Sequence, residues 1–462
     1  MIRRESAIAV AMTALESLGN SDARAKDGSS DLQADVIVRA CRKVRVLFIN
    51  DTARNGGPGR SLYYILKFLD PDVVHRAVVL PREGVIADLL RGDGSSEKVV
   101  DDISFEPGLV ENPVEPWTRA IERDDFDAPL PMRGARFVGN LFRAGEGIRR
   151  LTALAKNQKY DLLYCNGTNA DFAGGALAKT SGVPALWHVR YTSLPPLVRP
   201  VHDRLASSRG VKKIICVSNA AAALFPHCME KVSVIHNALD VNEFSPAPGT
   251  APILRSELKL PADAVVFGSQ GRILSRKGYV EMIRAAEITL KELSAKDRAR
   301  CFFVVLGDTP EDYEPDHLGE CRALVTELGL DANVKFIGFR ADVKPYVGDF
   351  DVAVVPSVYA DPLPRAVIEG MACGKPVIAF DVGGVAEMLD TSCGQLVRGT
   401  PPDVQGMANA FLRYFRDPDL RRSQGKSARA RIVLDFDATR QAKKIQNEIV
   451  RASGLAVERS AT

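Results

Sequence analysis

Short apolar runs alternating with helix-periodic stretches constrain this chain more than any other feature. The runs at 44–50, 77–80, 162–165, 185–189, 213–217 and 232–236 are rich in Val, Ile, Leu and aromatics and are too short for core helices. They are apolar without strict alternation, which fits parallel strands covered on both faces by helices. Residues 244–249, with two prolines and a glycine, interrupt the series. It then restarts at 264–269, 301–306, 334–337, 352–356 and 376–379. The expected fold class is α/β, with two Rossmann-like, doubly wound parallel-sheet lobes facing a central cleft. The reading divides the chain into a poorly ordered leader at 1–43 and a first lobe at 44–245, with an insertion at 92–135. A second lobe follows at 246–430, and a C-terminal helix at 431–462 returns to the first lobe.

Composition narrows the function classes. The 462 residues are 46% hydrophobic and 26% charged, ordinary for a globular chain, and the net charge of +3 gives no reason to expect nucleic-acid binding. No run of about 18 apolar residues occurs, so no membrane span is expected. The apolar stretch at 8–15 is too short for one, and it lacks the cleavage site of a secretory signal. Eight cysteines, none in a CxxC pair, point to reduced thiols in a cytoplasm rather than to zinc or disulfides. The sequon at Asn166-Gly167-Thr168 is idle in that setting.

In parallel folds ligands sit beyond the carboxyl ends of the strands, so the loops there carry the candidates. Gly56 and Gly57 follow the first strand and precede a helix-periodic stretch, the opening of a Rossmann-like unit. In the second lobe Gly271-Arg272 and Lys277-Gly278 follow a strand; a guanidinium fork and a mobile ammonium can clamp phosphates. Asp361 follows the run at 352–356, and Glu369 lies eight residues on, in a helix beginning near Pro364. Helix N-termini favour anions, and the two carboxylates can accept from hexose and ribose hydroxyls. Read singly, each piece fits a solvated basic loop or an acidic cap equally well.

Taken in order, these pieces resemble a known family. Gly271-Arg272 with Lys277-Gly278, Asp361 through Glu369 to Ala379, Gly383-Gly384-Val385-Ala386-Glu387, Val234 through Asp240, and Gly56-Gly57 together look like retaining GT-B glycosyltransferases of family 4. The matching pieces run from about residue 45 to 430. The resemblance implies that Arg272 and Lys277 hold a diphosphate, Glu369 the ribose and Asp361 the donor sugar. Backbone groups near Leu363, Arg365 and Gly338 would assist, and Gly56 and Gly57 would close over the phosphates. His188 would face the donor sugar. It further implies a hexose moved from a nucleotide sugar to a hydroxyl of a saccharide or lipid-linked acceptor, with no cofactor and no metal ion.

Departures from the family are equally specific. Asp361 replaces the usual Glu, Pro362 and Pro364 stand where glycine is common, Ala238 follows Asn237 in place of glycine, and Val189-Arg190 follows His188. Two rival readings keep the fold without the transfer: a nucleotide-sugar sensor or scaffold, and an epimerase or phosphorylase. Asp125-Phe126-Asp127 matches a metal-binding spacing that also occurs at Asp70/Asp72, Asp417/Asp419 and Asp435/Asp437, which shows how easily it arises by chance. Residues 133–159 hold seven basic residues and one acidic one among apolar positions. That pattern fits either a helix packed on the sheet or a peripheral contact with an anionic membrane surface at the cytoplasmic face. Gly139, Gly145 and Gly147 argue against one continuous helix there.

Overall fold

The computed structural model describes residues 39–53, 56–92, 98–110, 130–244, 252–309 and 316–458. Two parallel sheets organise them. The first has seven strands: β1 (Val44–Asn50), β2 (Val74–Leu80), β3 (Asp102–Phe105), β4 (Leu162–Asn166), β5 (Ala185–Val189), β6 (Val211–Cys216) and β7 (Val232–Val234). Their spatial order is β3-β2-β1-β4-β5-β6-β7. The second has six: β8 (Val265–Gln270), β9 (Cys301–Leu306), β10 (Val334–Phe336), β11 (Val352–Val355), β12 (Val377–Asp381) and β13 (Gly394–Arg398), in the order β10-β9-β8-β11-β12-β13. This is the two-lobed α/β fold that the alternation predicts. Central strands such as β4, β9 and β11 are buried throughout, which explains their unbroken apolar character.

Eight helices matter for the site. They are α1 (Gly57–Phe68), α2 (Leu130–Asn157), α3 (Thr168–Ser181), α4 (Asn219–Ala222), α5 (Tyr279–Glu292), α6 (Arg365–Ala372), α7 (Pro418–Asp435) and α8 (Ala438–Ser453). In the first lobe, α2 and α3 cover one face of the sheet, with Leu151, Ala155, Ala170 and Leu177 in that core. The other face packs α1 together with Ile445, Ile449 and Val450 of α8. At about 1.5–3 kcal/mol for each large buried side chain, this last helix is a substantial part of the first lobe's stability.

The structure corrects three expectations. Residues 102–105, inside the stretch read as an insertion, form an edge strand paired with β2; the sequence Asp-Ile-Ser-Phe is half polar because that edge is only partly covered. The segment at 133–159 lies within one 28-residue helix that runs through all three glycines. There Gly147 allows a close approach, since a Cβ on it would sit 3.1 Å from the Cα of Gly108. Its C-terminal half packs on the sheet, whereas Met132, Val138, Leu141 and Phe142 of its N-terminal half are exposed, Phe142 by 75%. Finally, the C-terminal pattern is two helices, because the chain turns at the buried Phe436 and Asp437 caps α8 by accepting from the amide of Arg440 at 3.1 Å. Arg39–Ala40 of the leader pairs antiparallel with Val457–Glu458, just beyond α8. Asp125–Asp127 lies outside the described residues. No helix among those described is long and apolar enough to cross a membrane.

Candidate donor-binding cleft

On the second lobe, backbone packing brings the basic loop to the acidic one. Gly278 adopts φ 72°, and a Cβ there would fall 1.8 Å from the carbonyl of Pro356, so α5 can start directly against the end of β11. Lys277 therefore reaches the loop after β11: its Nζ lies 2.7 Å from Asp361 Oδ2, and Tyr359 OH donates to the same oxygen at 2.9 Å. Asp361 is nearly buried. Its backbone is held from below, where the amide of Gly384 donates to its carbonyl at 2.9 Å. Arg272 stands exposed after β8, with no hydrogen bond or ion pair among the described residues. Glu369 is also nearly buried, inside α6; Oε2 accepts from Gln270 Nε2 at 2.6 Å and Oε1 from Arg365 Nε at 3.1 Å.

The arginine at the start of α6 crosses the cleft. Arg365 donates to the carbonyl of Ala238 at 3.1 Å and lies 5.3 Å over the ring of Tyr64, both outside its own lobe. Its aliphatic stem reaches within 3.9 Å of the space a Cβ on Gly57 would occupy. Gly56 precedes α1 in extended geometry and has nothing near its own Cβ position, which leaves its backbone open to a ligand. Leu363 is buried, and its carbonyl accepts from Asn237 Nδ2 at 3.0 Å. Gly338 turns the chain after β10 at φ 73°, and the same loop meets the first lobe where Arg60 donates to the carbonyl of Ala341 at 3.0 Å.

His188 is the penultimate residue of β5 on the facing lobe and is 2% exposed. Tyr164 OH meets its Nδ1, and Arg190 approaches that nitrogen at 3.4 Å. A guanidinium can only donate, so Nδ1 acts as acceptor and the proton resides on Nε2, which is buried without a partner among the described residues. Burial, and next the charge of Arg190, hold the imidazole well below its ordinary pKa, so it is neutral. His188 and Arg190 line a crevice with Ser61, Tyr64, His236 and Asn237 at the hinge side of the cleft; Arg272 and Lys277 lie outside it.

Two participants carry no motif signal. Arg190 appears in the sequence only as an unusual successor to His188, and Asn166 only as an idle sequon. Yet Arg190 Nε donates to Asn166 Oδ1 at 2.7 Å, and its NH1 donates to Asn237 Oδ1. Burial pushes its pKa down to about 10. Another missed contact joins the lobes at the rim: Glu387 accepts from the amides of Asn219 at 2.9 Å and Ala220 at 3.2 Å at the start of α4, and lies 3.2 Å from His236 Nε2.

The structure thus gathers Arg272, Lys277, Asp361, Leu363, Arg365 and Glu369 beyond the carboxyl ends of the second sheet, with Gly57 and His188 on the opposing lobe. Comparison with known proteins agrees with this architecture. The family Glycosyl transferases group 1 matches residues 251–431, and Glycosyltransferase Family 4 matches residues 114–243. The chain is 23% identical over 325 residues to the UDP-Gal:alpha-D-GlcNAc-diphosphoundecaprenol alpha-1,3-galactosyltransferase of Escherichia coli, covering 67% of this chain and 80% of that one. It is 29% identical over 221 residues to the lipopolysaccharide core biosynthesis glycosyltransferase LpsD of Rhizobium meliloti (strain 1021), covering 47% and 58%. Among solved structures, Anabaena Alr3699/HepE in complex with UDP-glucose superposes with a TM-score of 0.70 at 23% identity, covering 88% of this chain and 99% of that one.

Proposed function

Because this chain belongs to glycosyltransferase family 4, a group of EC 2.4 transferases that move sugar from nucleotide-sugar donors in glycan or glycolipid biosynthesis, we propose that its cleft performs a retaining, metal-independent hexosyl transfer. The observation that supports this most is the convergence of two cations and two nearly buried carboxylates opposite an open glycine backbone. In this reading the donor's diphosphate lies against Arg272, Lys277 and the start of α6, and Glu369 takes the vicinal ribose hydroxyls. Asp361 accepts from a hydroxyl of the hexose, and the Nε2–H of His188 donates to the same sugar. The loop at Gly56 and Gly57 covers the phosphates from the first lobe.

The bond from the anomeric carbon to the phosphate oxygen breaks, and its electron pair stays on the diphosphate. The acceptor oxygen bonds to the same face of the sugar, and its proton passes to a phosphate oxygen. Arg272 and Lys277 offset the charge that grows on the leaving group, the task a metal ion performs elsewhere. For that, Lys277 must exchange Asp361 for phosphate, so donor entry and release of this ion pair are one event. The acceptor is a saccharide or a lipid-linked saccharide bound by the first lobe. The exposed Val138, Leu141 and Phe142 beside basic residues of α2 support a peripheral contact with an anionic membrane at the cytoplasmic face.

A thermal-shift screen of UDP, GDP, ADP and their common sugar conjugates in EDTA tests this reading, with UDP first because of the likeness to a UDP-glucose complex. A ligand at about 100 times its Kd adds about 2.7 kcal/mol, several degrees of Tm. We expect one nucleotide family to stabilise the wild type, and Glu369→Ala and Arg272→Ala to lose the shift. Binding that survives in both variants, or that requires a divalent metal, overturns the assignment.

A further inference from the structure

We infer that Arg190 is a positioning residue: it ties the glycine loop of the first lobe to the donor loop of the second through two asparagines. The path begins at the carbonyl of Pro58, which accepts from Asn166 Nδ2 at 3.2 Å. The same amide nitrogen donates to Asn50 Oδ1 at 2.6 Å, and Asn166 Oδ1 accepts from Arg190 Nε at 2.7 Å. Arg190 NH1 then donates to Asn237 Oδ1, and Asn237 Nδ2 donates to the carbonyl of Leu363 at 3.0 Å. One end of the path is a backbone carbonyl in the first turn of α1, next to the Gly56–Gly57 loop, and the other lies in the loop before α6; the proposed function places both of these segments against the donor. The inference rests on that reading for its effect on catalysis, though not for the path itself.

The polarity of the path is determined at every link. Arg190 can only donate, so each asparagine turns its oxygen toward it and its nitrogen toward the outer loop. Rotating either amide would set donor against donor and acceptor against acceptor. Only a guanidinium supplies the fork: Nε, NH1 and NH2 reach Asn166, Asn237 and His188 at once, whereas a lysine has one nitrogen to place. Nor is Arg190 held in an ion pair among the described residues; Asp171 acts on its charge only from beyond pairing distance. A half-buried cation held without a directly paired carboxylate is a costly way to fill space, and an apolar side chain would pack more cheaply. What it gains is geometry: the strand ends β4 and β5, the connector at Asn237 and the loop before α6 move as one unit.

The test uses the full chain and three variants, Arg190→Lys, Asn237→Asp and the double substitution. Asn237→Asp is the informative one. It keeps an acceptor for Arg190, and adds a charge that favours the contact, but removes the N–H that holds Leu363. Hydrogen–deuterium exchange without ligand is read on peptides covering 56–62 and 361–368. We expect Asn237→Asp to raise exchange about 10-fold in the second peptide only, and Arg190→Lys to raise it in both. Steady-state assays use UDP-glucose, or the nucleotide sugar that the thermal-shift screen selects. There kcat should fall about 10- to 100-fold in each single variant, with KM for the donor within about 3-fold, the scale of one lost charge-assisted or buried hydrogen bond. The double variant should be no worse than the poorer single one. Unchanged exchange in Asn237→Asp, wild-type behaviour of Arg190→Lys, or losses that multiply would each overturn the inference. Because exchange is measured without nucleotide, a failed donor screen with altered exchange sinks the proposed function and leaves the path standing.

Discussion

Asp51 sits just after β1 with its carboxylate turned to the start of α3, where it accepts from the amide of Asn169 at 2.8 Å. Gly167, at φ 116°, makes room for it; a Cβ there would fall 2.4 Å from Asp51 Oδ1. Burial is the larger influence and pushes the carboxyl up to about 6 from 3.8, against the pull of the helix amides. Because the folded value lies above the unfolded one, folding favours the protonated form. That stabilisation is complete below about pH 4 and gone above about pH 6, a change of about 3 kcal/mol. The Asp51→Asn variant keeps an acceptor for the helix amide at every pH and has no proton to lose. The urea midpoint of the wild type should therefore fall relative to that variant as pH rises from 4 to 6, with a constant difference between the two thereafter. Parallel curves across that range would show that Asp51 is charged throughout. Single residues also mark how far the sequence could be read. Lys277, Asp361 and Glu369 were legible because each sits in a compact motif. Arg190 was not: its partners lie 24 and 47 positions away, and no local pattern connects them.

At the scale of elements, legibility followed burial. Strands covered on both faces betray themselves as apolar runs, and β5 and β9 occupy the expected positions. At the edges the rule is looser: β7 and β10 are only partly buried yet lie in the expected runs, whereas β3 and β13 mix polar with apolar residues and yield none. Helix α2 shows the same logic along its length. Its buried half reads as a packed helix, and its outer half leaves Val138, Leu141 and Phe142 in solvent. An apolar strip at that position, flanked by arginines, is suited to the headgroup region of a bilayer. The chain should co-sediment with vesicles of about 30% phosphatidylglycerol and not with neutral ones. Leu141→Glu with Phe142→Glu should abolish this while Tm stays within about 2 °C, as for other exposed substitutions. Equal binding to neutral vesicles, or binding that survives both changes, would rule the strip out.

For the molecule as a whole, the rim contact at Glu387 is one of several by which the lobes meet. A second-lobe carboxylate caps a first-lobe helix and reaches the connector through His236, which stacks on Phe436 at 5.4 Å. Burial pushes Glu387 up, but the hydrogen bond from His236 and the amides of Asn219 and Ala220 outweigh it, and its pKa ends below the ordinary value. A depressed carboxylate stabilises above the unfolded pKa and loses that contribution as pH falls through the folded one. Glu387→Gln should therefore lower Tm by a constant amount at neutral pH, and the gap should close as acid protonates the wild type. A gap that widens in acid would assign the contact to shape instead of charge.

The helix that completes the first lobe also sets an order in time. Ile445, Ile449, Val450 and Ala452 belong to a core whose other buried members were synthesised about two hundred residues or more earlier. During translation the second lobe has all of its strands while one face of the first is covered only in part, by α1 and its neighbours. The later-made half of this protein is thus the first able to finish folding, and the earlier-made half waits for α8 to close it.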